Sequence, residues 1–442
     1  MATQQNLPKI TKATKIKDIV KSFNPMPLTE IDMDLYVETI QERTNNPNQS
    51  PLKKIFEIVT SGSEKSACIL IGHRGSGKST ELNNLKIQFE NEFHQTVVID
   101  CEKESDLNTI NYWDIMLLIT DAIINIAKEN KISLQEDDVK NIFNVFNKID
   151  KLIEIVDSDK VSTEAGGGFS LKYFAELFIK VKSSYSKDYA VKTIIKENIG
   201  YKVADWQFLI EQIYFQIIPH LKAKRPILIF ESLDKITDSE RLINMFKNSI
   251  LAQMKFPVIY TAPISMSYSK NIGEIDYLYN IKRLPTIKVK NIDNSINQSA
   301  VDIIKDIIYS RAEETLFEEA GLDYLIEKTG GVIRQVFECI NEASDYARYE
   351  NNDIITKKYF EDALNELRKW LVRTVEGKDF KKLLEINSDK NVVDETDMLL
   401  DFMQRQIVLE YENGKNWYDV HPLILDYLKS DSVQRYLERK NG

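Results

Sequence analysis

Residues 67–82 read ACILIGHRGSGKSTEL, and this stretch decides the fold. Its first five residues form an uninterrupted apolar run, the pattern of a strand buried on both faces. Gly72, His73, Arg74, Gly75, Ser76, Gly77, Lys78 and Ser79 then satisfy G-x-x-x-x-G-K-[ST], and residues 80–93 carry helical spacing. A buried strand entering such a loop and an amphipathic helix leaving it is the context a phosphate-binding loop requires. The glycines let the backbone curl, so that successive N–H groups face the β- and γ-phosphates, and the helix dipole points at the same place. Lys78 is expected to supply a cation to the β/γ-oxygens, and the Ser79 hydroxyl to ligate Mg²⁺. Residues 72–80, Thr80 included, are the expected contacts of a nucleoside triphosphate, ATP or GTP.

Outward from this loop, three more apolar runs read as strands: residues 96–100 (TVVID), 227–230 (ILIF, after Pro226) and 258–261 (VIYT). Helical spacing fills residues 110–130 and 204–221, and one helix is expected between the last two strands. The alternation predicts an α/β fold, a parallel sheet with helices on both faces. A phosphate loop needs an acid at the end of a neighbouring strand. ILIF runs into Glu231, Ser232, Leu233, Asp234 and Lys235, so Glu231 is the candidate magnesium-associated acid and Asp234 a candidate for orienting water. The competing reading is a helix-capping acid after a core strand. Thr261 ends the fourth strand, where a hydroxyl senses the γ-phosphate or positions water, although Thr is common in strands anyway. Thr329, Gly330 and Gly331 open a helix in which Arg334 either reaches back to the phosphates or is simply solvated.

The remainder divides by pattern. Residues 1–50 read as an N-terminal extension ending in a polar loop, and residues 51–285 as the nucleotide-binding core, with a short helix over 51–60. An insertion covers about 130–205. It holds an amphipathic helix over 133–156, a flexible break over 157–168 containing Gly166, Gly167 and Gly168, and an aromatic- and lysine-rich tract after it. Beyond Pro285 four helical segments (299–311, 322–328, 333–349 and 357–373) make a helical lid over 286–373. Residues 374–442 carry short helices and one hairpin signal, IVLEY, then Glu412, Asn413 and Gly414, then Trp417 and Tyr418.

Composition narrows the classes. The 442 residues hold 58 Lys plus Arg against 68 Asp plus Glu, a charge of −10 that argues against a protein whose main work is coating nucleic acid. No apolar run approaches the roughly 18–20 residues of a membrane span, and the basic N-terminus lacks a signal peptide's apolar stretch. A cytoplasmic protein without membrane contact is expected. Cys68, Cys101 and Cys339 support neither a disulfide framework nor a metal knuckle, and His73, His94, His220 and His421 have no ligand spacing. Metal hydrolase, nuclease and protease readings therefore have no residues to rest on.

The order GHRGSGKSTEL, ILIFESLDK, VIYTAP and TGGVIR, then a helical lid and a hairpin-containing tail, resembles the AAA+/STAND ATPases. The likeness is strongest to the origin-recognition-like branch and its bacterial relatives, some of which look like defence-system ATPases. It covers about residues 50–430. The resemblance implies a P-loop sheet, a helical lid and a C-terminal winged helix. It assigns Gly72, Gly77, Lys78 and Ser79 to Walker A, Glu231 or Asp234 to Walker B, Thr261 to sensor 1 and Arg334 to sensor 2, with ATP and Mg²⁺ as cofactors. Arg311 is a lid arginine by position, with its role open. Walker B departs from the family pattern: E-S-L-D stands here, and Ser232 cannot serve as a base.

Three functions follow from this reading. The first is an ATP-driven switch that couples nucleotide state to homo-oligomerisation or to a protein effector, with antiviral defence implied by the resemblance alone. The second is an ATPase whose winged helix docks on duplex DNA. The third is a scaffold that ATP stabilises without being turned over.

Overall fold

Each strand of the main sheet alternates its side chains between two buried layers. In β1 (Ala67–Gly72), Ile69 and Ile71 face one layer, with Leu228 and Phe230 of β3 (Lys224–Glu231) and Tyr260 of β4 (Val258–Pro263). Cys68 and Leu70 face the other, with Ile227, Ile229 and Ile259. Helices Tyr112–Glu129 and Val203–Ile217 cover the first layer, and Pro51–Thr60 and Lys78–Asn91 the second. Each fully buried aliphatic side chain contributes roughly 1.5–3 kcal/mol, so a sheet covered on both faces needs the uniformly apolar strands found here. The computed structural model describes residues 9–62, 66–132, 134, 203–391 and 396–441.

The strand order is β2-β3-β4-β1-β5, every pairing is parallel, and β2 spans His94–Asp100. Parallel pairing brings the loop after β1 and the C-terminal ends of β2, β3 and β4 to one edge. The fifth strand, β5 (Asn280–Arg283), escaped the sequence reading because NIKR is short and polar, as befits a sheet edge. Two short helices, Ser239–Phe246 and Ser249–Ala252, replace the single one expected between β3 and β4. Helix Tyr112–Glu129 starts where it does because Asn111 caps it reciprocally with Asp114. Apart from their ends, the expected helix over 133–156, the break over 157–168 and the insertion over 130–205 lie outside the described residues.

Helices Gln298–Tyr309, Glu319–Lys328, Ile333–Tyr349 and Lys357–Val372 form a helical region with its own core. The N-terminal segment belongs to that core: Ala13, Ile16, Ile19 and Phe23 are buried in it, and Phe23 meets Phe317 and Phe337 edge-on. The C-terminal hairpin pairs β6 (Val408–Glu412) with β7 (Asn416–Val420) antiparallel, and helix Pro422–Leu428 follows it, giving a winged-helix-like end. Leu409, Tyr411 and Trp417 of this hairpin pack against Val332 beside the helical region. No helix among the described residues is long and apolar enough to cross a membrane.

Candidate phosphate-binding site

The loop between β1 and helix Lys78–Asn91 needs left-handed backbone at two points, Gly75 (φ +77°) and Gly77 (φ +98°). At Gly75 a Cβ would also lie 2.7 Å from Arg334 Cβ, so the glycine lets the helical region come against the loop. Lys78 is 4% exposed. Its Nζ donates to the carbonyls of Gly72 and His73, both at 2.9 Å, and lies 2.8 Å from Asp234 Oδ2.

The acids arrive on parallel strand ends. Glu231 ends β3 in register with Asp100 of β2. Ser232 adopts φ +68°, and its Oγ donates to Asp100 Oδ1 at 2.6 Å. Burial, then Asp234 and Asp100, push the Glu231 carboxyl up to about 7, although a hydrogen bond from Ser79 works the other way. Burial alone would raise Asp234 too, but the Lys78 ammonium outweighs it and holds that carboxyl below its ordinary value. The two acids are thereby set apart, Asp234 as the charged partner of Lys78 and Glu231 as a carboxyl poised between states.

Glu231 Oε1 is buried with no hydrogen-bond partner among the described residues. Beside the Ser79 hydroxyl, that orphaned oxygen fits a Mg²⁺ held by one carboxylate, one hydroxyl and phosphate oxygens. Among the described residues no group of three or more His, Cys, Asp or Glu is placed to hold a metal without such a ligand.

The cleft is closed from three directions. Its lining takes Gly75–Glu81 and Asp234 from the core, Ile307, Arg311, Ile333, Arg334 and Phe337 from the helical region, and residues 25–28, 35–37, 39 and 43 from the N-terminal segment. Arg334 lies at the cleft: its backbone N–H donates to Gly75 O at 3.2 Å, and its Nε is buried with no partner among the described residues. Arg311 lines the same cleft over the Phe337 ring, 5.0 Å from its centroid, and burial lowers its guanidinium to about 10.

Three candidates have other hydrogen-bond partners. Thr261 is 1% exposed, and its hydroxyl donates to Phe230 O on the neighbouring strand at 3.2 Å. Thr80 Oγ1 accepts the Leu28 N–H at 3.2 Å. His73 turns away from the cleft, its Nε2 accepting the Glu410 N–H of β6 at 2.9 Å. Burial, then Lys78 and Arg283, push that imidazole down to about 3, so it stays neutral. Gln406 Nε2 donates to Arg74 O at 2.6 Å beside it. Sequence reasoning missed Asp100, Arg43 and the whole N-terminal lining. The local signals are slight: Asp100 ends the apolar run TVVID, and Arg43 lies one turn after Thr39, the residue that precedes the five-residue helix Ile40–Thr44.

No family model and no curated protein matches the chain. Among solved structures it is similar to the ORC2 protein of Aeropyrum pernix in its ADP form, with 10% identity over 95% of this chain and 98% of that one, TM-score 0.44. A Walker-type ATPase of Pyrococcus abyssi gives 12% identity, 92% and 100% coverage, and TM-score 0.42. Cdc6p of Pyrobaculum aerophilum gives 12%, 95% and 98%, and 0.37. Likenesses this distant bear on neither ligand nor activity. The chemistry rests on the cleft itself.

Proposed function

We propose that the chain is an ATP-binding, ATP-hydrolysing molecular switch of the AAA+/STAND type, coupling nucleotide state to oligomerisation or to a protein effector. The observation that carries this reading is Lys78. It is a buried lysine on a glycine loop, held by Asp234 and two loop carbonyls, in a cleft that core, helical region and N-terminal segment all line. A triphosphate entering the cleft offers Lys78 a better anionic partner, which frees Asp234 from the ion pair to orient the attacking water. Arg334, whose Nε has no partner among the described residues, would meet the same phosphates from the helical region. Ser79 and Glu231 would hold Mg²⁺, which supplies charge neutralisation on the phosphates when bound. Glu231 holds this role better ionised, so binding of the metal favours loss of its proton.

The coupling half of the reading is supported by the hairpin. His73 and Arg74 of the loop bond to Glu410 and Gln406, Tyr411 OH donates to Gly330 O at 2.8 Å, and His421 Nε2 lies 2.8 Å from Gln335 Oε1. A change in the loop is thus felt directly by the C-terminal end. The duplex-DNA alternative is weakened by the chain's acidic balance, a charge of −10, rather than by this packing: Val408, Leu409, Trp417 and Val420 are buried, but the hairpin tip over 413–416 is exposed. A non-hydrolysing scaffold keeps the same site and lacks only turnover.

Nucleotide binding and phosphate release by the purified chain test the proposal, with Lys78→Ala and Glu231→Gln alongside and gel filtration with and without ATP. Lys78→Ala is expected to lose binding, and Glu231→Gln to keep binding while turnover falls at least about 100-fold. Binding without any turnover in the unaltered chain would favour the scaffold. A size unchanged by ATP would remove the oligomerisation branch.

A further inference from the structure

We infer that Arg43, from the N-terminal segment, is a positioning residue that sets the phosphate loop for a polyphosphate; the inference rests on the nucleotide reading above. Arg43 is 2% exposed, and its guanidinium donors are spent on three different parts of the chain. Nε donates to Thr39 Oγ1 at 2.8 Å, Nη2 to Ser76 O at 2.8 Å, and Nη1 to Pro285 O at 2.5 Å. Ser76 is in the loop, and Pro285 lies just past β5, where the core leads into the helical region. The buried charge is balanced through Thr39, whose hydroxyl is also 3.3 Å from Glu81 Oε1, while Tyr36 OH donates to Glu81 Oε2 at 2.8 Å.

The consequence follows from the planarity of the peptide bond. In a trans peptide the C=O of one residue and the N–H of the next point to opposite sides of a single rigid plane. Pinning Ser76 O outward on Arg43 therefore turns the Gly77 N–H inward, toward the concave side of the loop where phosphate oxygens would lie. Gly77, at φ +98°, has a backbone free to swing, so this peptide needs an external anchor to hold one orientation. Arginine suits the task because its planar fork serves two carbonyls at once, which a lysine point charge cannot do in one geometry. The same fork ties the loop to the Pro285 junction, so the loop's setting and the approach of the helical region are mechanically joined.

The test compares the full chain with Arg43→Lys, measuring Kd for ATP and for AMP together with the thermal midpoint, and with Lys78→Ala as yardstick. Loss of the fork is expected to weaken ATP about 30-fold and AMP by no more than about threefold, since the β/γ end depends on the loop and the base end does not. Equal weakening of both nucleotides would mean general loosening and overturn the assignment. Unchanged ATP affinity, with Lys78→Ala losing ATP, would overturn it and leave the nucleotide reading standing. ATP binding unaffected by Lys78→Ala would overturn both. If Arg43→Lys melts before it can be assayed, Thr39→Val carries the test. That variant frees Nε while keeping the arginine, and its ratio of AMP to ATP Kd should fall several-fold; an unchanged ratio overturns the inference.

Discussion

The two halves of the phosphate loop are held in different ways. The first half, residues 72–75, is tied to later parts of the chain by neutral bonds: His73 to the Glu410 N–H, Arg74 O to Gln406, and Gly75 O to the Arg334 N–H. The second half, residues 76–81, is tied to the N-terminal segment by a buried charged network of Arg43, Thr39, Glu81 and Tyr36. Neutral bonds contribute about 1 kcal/mol each and re-form readily, whereas separating a buried charge from its partners costs several times more. The second half is thus the fixed jaw and the first half the one able to let go. For a switch this places the moving contact at the hairpin and the reference frame at the N-terminus.

The largest effect should come from attacking the fixed jaw. Glu81→Gln removes the carboxylate that contributes most to balancing the buried Arg43 guanidinium, ahead of Glu38 and Glu42, and denaturant unfolding should show a loss of about 3 kcal/mol. A loss under 1 kcal/mol would erase the distinction between the jaws. Next comes Glu410→Ala on the hairpin, which removes the carboxylate that meets Arg283 Nη1 at 2.7 Å and the Tyr268 hydroxyl. Because Arg283 is partly exposed and can rehydrate, about 2 kcal/mol is expected by the same measurement.

The jaws also differ in pH response. His73, pushed down to about 3, stays neutral from pH 5 to 8, so the imidazole that accepts the Glu410 N–H does not change charge there. Beside the second half, Glu231 is raised to about 7, so the ligand-free folded state binds the proton more tightly than the unfolded chain. Its contribution is present below the ordinary carboxyl value and lost as pH rises through about 7. Stability of the ligand-free protein should therefore drop by about 2.5 kcal/mol between pH 5 and 8, and Glu231→Gln should flatten that slope. A slope that persists in Glu231→Gln would assign it elsewhere. The smallest change is expected from His73→Gln, which loosens the acceptor for the Glu410 N–H and should cost about 1 kcal/mol. A larger cost there than in Glu410→Ala would show that the hairpin's grip on the loop runs mainly through the histidine.

Much of the molecule was legible in local pattern. The four apolar strand runs, the helix over Pro51–Thr60, the helix over Ile333–Tyr349 and the hairpin were readable because hydrophobic period and turn residues act over a few positions. Arg334 was readable in part, since Gly330 and Gly331 announce a turn just before it. Thr261 was not, because nothing local says that its hydroxyl turns to Phe230 O rather than to the cleft. The polar segment around Arg43, reading QERTNN, looks solvated, and residues 1–50 accordingly read as an extension.

By itself the chain's order of residues determined the strand–loop–helix with Lys78 at its heart, the parallel sheet that brings Glu231 to the same edge, and the class of ligand such an arrangement suits. It did so because strand burial, loop glycines and helix start are set by neighbours in the chain. Which segments close around the loop was decided at a distance. Arg43 meets Pro285 across 242 positions and His73 meets Glu410 across 337, contacts that leave no period or spacing in the sequence. They exist because three separately patterned parts bury their apolar faces against one another, and the polar groups caught between them must find partners where they land.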